Sequence, residues 1–250
     1  MRFAVVGDSF TEGVGDERAD GSVRGWADLV AQGMATARGE AIEYANFAIR
    51  GRKLHEIVTD QLDAALALDP QPTLLTLNGG GNDMLRAGMN TALLVDMLEG
   101  AIVRCRDSEV QLVLLAGPNP AGGLPFGSII SRRGDDLTDA LRELGARYHR
   151  QVIDTWHDLE VRRPGYWSPD RLHLNAAGHY RVAALVLEQL GYDSTAQHAA
   201  ALNSYTDHNQ SQFDFYRAHV APWAKRRLKG ESSGDGRTGK HLTWTPISPD

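Results

Sequence analysis

Cysteine is almost missing from this chain: Cys105 is the single one among 250 residues. One thiol makes no intramolecular disulfide and no cysteine cluster for zinc or iron–sulfur binding, so we expect a reducing, cytoplasmic setting. Positive charge is also in deficit. The 26 Lys and Arg against 32 Asp and Glu leave a net charge of −6, the wrong sign for a nucleic-acid footprint. Long apolar runs are absent as well. The run at the N-terminus ends at Val6, too short for the apolar part of a secretion signal, and nothing further along suits stable membrane insertion. Phosphate loops are missing too: the first turn lacks Gly-x-Gly-x-x-Gly, and no Gly-Lys-Ser/Thr follows the glycines at 79–81. Asp8 has no second carboxylate beside it, as a metal-dependent phosphotransfer site would require; its neighbour is Ser9.

What is present is an ordinary globular composition, 42% apolar and 23% charged. The pattern alternates strand and helix. Residues 2–6, 42–47, 73–78, 111–117 and 151–154 read as short buried strands, and 26–37, 53–68, 91–106, 137–148 and 176–190 carry apolar residues at helical spacing. This alternation calls for a parallel sheet covered on both faces. Asn175 is a good N-cap for the last of these helices, and Gly191 its stop. The stretch 118–135, rich in glycine and proline, reads as a long loop, and its apolar residues Leu124, Pro125, Phe126, Ile129 and Ile130 are candidates to line a substrate pocket, Phe126 and Ile129 foremost.

Beyond residue 191 the rhythm breaks. We expect three units: a domain over 1–191, an extension over 192–229 with a short amphipathic helix carrying Phe213, Tyr216, Val220 and Trp223, and a disordered tail over 230–250.

The polar residues that matter stand at strand ends. Ser9 follows strand one, Gly51 strand two, Asn82 strand three, and Asp170 with His173 the fifth strand. Reactive crevices in doubly wound sheets lie outside the C-terminal strand ends, and a strand order 2-1-3-4-5 brings these loops together. A serine nucleophile needs a base, a group that orients the base, and donors aimed at the developing oxyanion. Each has a candidate here. Taken singly, Gly7-Asp8-Ser9 is also a common polar turn, the glycine run also suits a positive-φ turn, and an Asp three residues before a His also caps helices. His179 reads as a helix-face residue and not a ligand.

Together the motifs Gly7-Asp8-Ser9-Phe10, Asn46 with Gly51, Gly81-Asn82-Asp83, and Asp170-Arg171-Leu172-His173 resemble the four blocks of the SGNH/GDSL hydrolase family. The resemblance covers about residues 1–191. It implies a flavodoxin-like three-layer α/β/α fold with five parallel strands in the order 2-1-3-4-5, and esterase or lipase chemistry on a small-molecule, lipid or acetylated-sugar ester. By motif position, Ser9 is the nucleophile, His173 the base and Asp170 its orienter. The oxyanion hole takes the N–H groups of Ser9 and Gly51 and the amide of Asn82. No metal or organic cofactor is implied. Phe10 stands where the family often has leucine, Arg171 where it frequently has glycine, and Leu174 where it often has proline; none of these exchanges removes a reacting group. Two rivals share the scaffold: acyl transfer from the same acyl-serine, and a non-catalytic binding module, which would be expected to lose one of the three groups.

Overall fold

The computed structural model describes residues 1–124, 126–206 and 232–250. Strand β1 (Arg2–Val6) lies inside a six-stranded sheet. With β2 (Ile42–Asn46), β3 (Leu74–Leu77), β4 (Gln111–Ala116) and β5 (Gln151–Asp154) it forms five parallel strands ordered β5-β4-β3-β1-β2. The expected order 2-1-3-4-5 is therefore present, and the expected count of five is one short. Strand β6 (His241–Ile247) pairs antiparallel with the outer side of β2, Ile42 opposite Ile247 and Tyr44 opposite Thr245.

Side chains alternate across the pleat, so successive residues of one strand feed opposite layers. Ala4, Val6, Leu75, Leu77, Leu112 and Leu114 face one core. Covering that core are α3 (Leu54–Glu56) and α4 (Leu62–Leu66), joined by a π turn at Ile57–Gln61, then α6 (Thr91–Asp107) and α7 (Gly127–Tyr148). Phe3, Val5, Val113 and Leu115 face the other core, under α2 (Trp26–Arg38) and α8 (Ala176–Gln189), with α9 (Thr195–Ser204) packed on α8. Two short helices, α1 (Ser9–Glu12) and α5 (Gly81–Met84), begin directly after β1 and β3.

Two expectations need correction. The stretch 118–135 is not one loop, because α7 starts at Gly127. Its Gly134 is a helix-interior residue: a Cβ there would lie 2.0 Å from Trp156 Cζ2, so the glycine makes room for an indole ring and does not mark a turn. Residues 241–247 are not a disordered tail. Their β-branched and aromatic residues satisfy the outer N–H and C=O groups of β2, Pro246 is tolerated because the strand is an edge, and Trp244 Nε1 donates to Pro70 O at 2.8 Å. The proposed helix with Phe213, Tyr216, Val220 and Trp223 lies outside the described residues. Among the described residues no helix is long and apolar enough to cross a membrane.

Candidate active site

The turn after β1 is fixed from both sides. Gln61, carried on the π turn, pairs with both main-chain groups of Gly7: Gly7 N donates to Gln61 Oε1 at 2.8 Å and Gln61 Nε2 donates to Gly7 O at 2.9 Å. Gly7 has to be glycine, because a Cβ would lie 2.5 Å from Thr11 Oγ1. Asp8 then caps α1, accepting from Phe10 N at 3.1 Å. Ser9 is the first residue of that helix, and its N–H is one of the groups a helix leaves without an internal acceptor.

Asn46 is fully buried and shapes the chain leaving β2: it accepts from Ala48 N at 3.0 Å and donates to Thr11 O at 3.3 Å. Four residues on, Arg50 is held by Glu12 of α1. The Glu12 carboxylate accepts from Arg50 N at 2.6 Å and from Arg50 Nη2 at 2.6 Å. Gly51 follows with φ of +79°, a conformation that favours glycine. Among the described residues neither Ser9 N nor Gly51 N donates a hydrogen bond.

After β3, Gly80 turns the chain at φ of +92° and α5 begins. The positive-φ turn expected of the glycine run is present, and it places Asn82 at the start of α5. Asn82 Nδ2 donates to Arg52 O at 3.0 Å and to Asp8 Oδ2 at 3.3 Å. Asp83 Oδ2 accepts from Leu54 N at 2.9 Å, so the loops after β2 and β3 are joined at two points.

The Asp170–His173 pair stands just before α8. Asp170 Oδ1 accepts from the N–H groups of Leu172 and His173, both at 3.0 Å, and Asp170 Oδ2 lies 2.6 Å from His173 Nδ1. Burial pushes the Asp170 carboxyl up, but the hydrogen bond and charge of His173 and the two N–H groups outweigh it and hold the carboxyl at about 2. An ionised Asp170 only accepts, so Nδ1 carries the proton and Nε2 is left as the basic nitrogen. Arg171 has φ of +55°, which explains why glycine suits this place. Asn175 caps α8, accepting from Gly178 N at 3.1 Å.

Ser9, Asp8 and Asn82 line one cavity of about 100 Å³ whose remaining wall is mainly apolar: Met84, Ile130, Leu137, Leu141, Trp156 and Leu172. His173, next to Leu172, is close enough to Asp8 for its charge to act there. Among the described residues no hydrogen bond joins Ser9 to His173, and such bonds are commonly long before substrate binds. Gly51 lies outside the cavity lining. Phe126 and Ile129 do not line it either; they are 79% and 42% exposed, and the neighbouring Ile130 faces inward instead.

Four supports escaped sequence reasoning. Glu12 and Gln61 reach across the fold, and only a buried acid near an arginine and a π turn hinted at them. His179 is fully buried: its Nδ1 accepts from Trp26 N at 3.2 Å and its Nε2 donates to Val14 O at 3.2 Å. Burial takes its pKa down to about 4, so the ring is a neutral tie and its face points inward. Asp8 is the fourth. Burial pushes its carboxyl up to about 6 against the opposing pull of Phe10 N–H and His173.

The model of the GDSL-like Lipase/Acylhydrolase family matches residues 5–181. Among solved structures, TesA is 24% identical with a TM-score of 0.62, covering 76% of this chain and 98% of that one. The psychrotrophic esterase EstA from Pseudoalteromonas sp., inhibited by monoethylphosphonate, is 18% identical with a TM-score of 0.60 over 76% of this chain and 96% of that one. A catalytic mutant of Axe2, an acetylxylan esterase from Geobacillus stearothermophilus, is 16% identical with a TM-score of 0.65 over 77% and 95%. At these identities the likeness is one of fold. No curated protein matches the chain.

Proposed function

Because the chain belongs to the GDSL-like lipase/acylhydrolase family and is a carboxylic ester hydrolase, we propose that it works through an acyl-serine formed on Ser9. Ser9 Oγ attacks the ester carbonyl while His173 Nε2 takes its proton; Asp170 keeps the imidazole in the tautomer this needs. The carbonyl oxygen gains charge and is stabilised by the N–H groups of Ser9 and Gly51 and by the Asn82 amide. Collapse of the tetrahedral intermediate breaks the ester bond, and His173 returns the proton to the leaving alcohol. Water then attacks the acyl-serine through the same base.

The observation that carries this reading is the Asp170–His173 pair, 2.6 Å apart and polarised by an ionised carboxylate, together with a helix-terminal serine whose N–H donates to no described residue. The cavity supports a short acyl group. A cavity of about 150 Å³ holds benzene, so about 100 Å³ suits an acyl chain of roughly two to four carbons. That size favours acetylated sugars and small esters over long-chain lipids, and the fold-level likeness to an acetylxylan esterase points the same way.

Labelling with a fluorophosphonate tests the assignment, because a serine hydroxyl reacts only where base and oxyanion donors are already assembled. We expect one adduct on the peptide containing Gly7-Asp8-Ser9-Phe10, absent in Ser9→Ala, and turnover of p-nitrophenyl acetate and butyrate above the longer esters. Folded protein that takes no adduct would move the non-catalytic reading to first place.

A further inference from the structure

The segment that returns to the sheet after the undescribed stretch passes directly over the loop that carries Gly51. Ser232 to Asp235 form a self-contained turn: Asp235 N donates to Ser232 O at 3.2 Å, Ser232 N to Asp235 Oδ2 at 2.8 Å, and Gly234 N to Ser232 Oγ at 3.2 Å. The turn is pressed against Arg50 and Gly51. A Cβ on Gly234 would lie 2.0 Å from Arg50 O, and a Cβ on Gly51 would lie 2.3 Å from Ser232 Oγ. Gly239 continues the contact, its absent Cβ 2.7 Å from Asn46 O, and β6 then pairs with β2. The opposite side of the same loop is held by Glu12 of α1. Arg50 is thus clasped between the helix that bears Ser9 and a turn some 180 residues further on.

The family match ends at residue 181, so this clasp is an addition to the family's matched core. A glycine loop at φ of +79° has several other conformations open to it, and an oxyanion donor misplaced by about 1 Å loses much of its effect. We propose that the turn at 232–235 is a positioning element for the ester-cleaving site: by packing on Arg50 and Gly51 it holds the Gly51 N–H in line with that of Ser9. Ser232 and Gly234 act through Gly51 and do not touch the substrate. The proposal rests on the reading of Gly51 as an oxyanion donor.

The test uses the full chain. In Gly234→Ala the new methyl meets a backbone carbonyl that has no flexible end to yield, and the turn has to lift. Hydrogen exchange of the peptide over residues 49–52 should quicken by tenfold or more. The kcat for p-nitrophenyl acetate should fall by tenfold or more, with KM within twofold of the unaltered enzyme. Ser232→Ala, which removes the hydroxyl that both caps the turn and covers Gly51, is a gentler variant for the case where Gly234→Ala does not fold. It should lower kcat by about threefold, and Ser232→Thr should restore it. Trp244→Phe serves as the control: it removes the β6 contact to Pro70 O and should lower the melting temperature while leaving kcat unchanged. Faster exchange with an unaltered kcat would overturn the positioning role, and unaltered exchange would overturn the packing itself. Wild-type protein that neither turns over esters nor labels would instead overturn the ester reading beneath both.

Discussion

The two walls of the crevice are held together by different forces. On the side of β1, β2 and β3 the chain is fixed by directed polar contacts: Gln61 on Gly7, Glu12 on Arg50, Asn82 on Arg52 O and Asp8, Asp83 on Leu54 N. The facing wall, from α7 and the chain just after β5, is apolar packing: Ile130, Leu137, Leu141 and Trp156 around Gly134. Hydrogen bonds have fixed stoichiometry and direction, so the first wall sets positions to a few tenths of an ångström. Dispersion contacts are many and individually weak, so the second wall sets a volume. The chemistry belongs to the wall that cannot drift, and the choice of acyl group to the wall that can be resized.

If that division holds, the largest effects come from the polar side. His173→Ala should lower kcat on the order of 10⁵-fold, and Asp170→Asn by about 10⁴-fold, because the base remains but its tautomer is no longer enforced. Steady-state kinetics on p-nitrophenyl acetate checks both, and equal losses would deny Asp170 a separate orienting role. Leu137→Ala, on the apolar side, should cost about 2–5 kcal/mol of stability and move the preferred ester to longer chains, with the kcat on that ester retained. A shift in chemical step instead of chain length would break the comparison. Asn82→Ala should reduce turnover by about a hundredfold, near 3 kcal/mol, with its melting temperature little changed.

A smaller effect is expected from Asp8. Its carboxyl is raised to about 6 by burial, so the folded chain holds a proton there that the unfolded chain has already lost. The stability from this proton is fully present below the ordinary Asp range near 4 and is lost as pH rises through about 6. Asp170, held at about 2, is ionised in both states across that window and contributes no slope. His173 and Asp83 also face Asp8, so the comparison has to be made against Asp8→Asn. Chemical denaturation at pH 4.5 and 7 should show the wild type losing on the order of 2 kcal/mol relative to that variant. The smallest effect belongs to Phe126→Ser: an exposed ring outside the cavity should change stability by less than about 0.5 kcal/mol and leave the chain-length profile superimposable. A changed profile would return Phe126 to the substrate wall.

The parts of this site that were legible in the sequence are those with local causes. The apolar run of β1 ending in Gly7-Asp8-Ser9, the Asp170 and His173 spacing, and the Asn175 cap each depend on neighbours within a few residues. What was not legible depends on partners far along the chain. Gly134 looked like a loop residue because its reason is Trp156, which occupies the space a side chain would need. Residues 241–247 looked like part of a polar tail because their partner is the outer row of β2, some 200 residues earlier. Of the apolar patch at 124–130, Ile130 faces the cavity and Phe126 and Ile129 do not, because the helix that begins at Gly127 turns them outward.

Strand β6 has one more consequence, for how copies of this protein behave toward each other. Beneath it, β2 is mostly buried, and its outer row of N–H and C=O groups would otherwise stand open to solvent. An open strand of that kind is a template on which a second chain pairs, the usual beginning of aggregation. By laying the proline-bearing β6 along that side, the chain covers the edge itself and blunts it against pairing with a second copy.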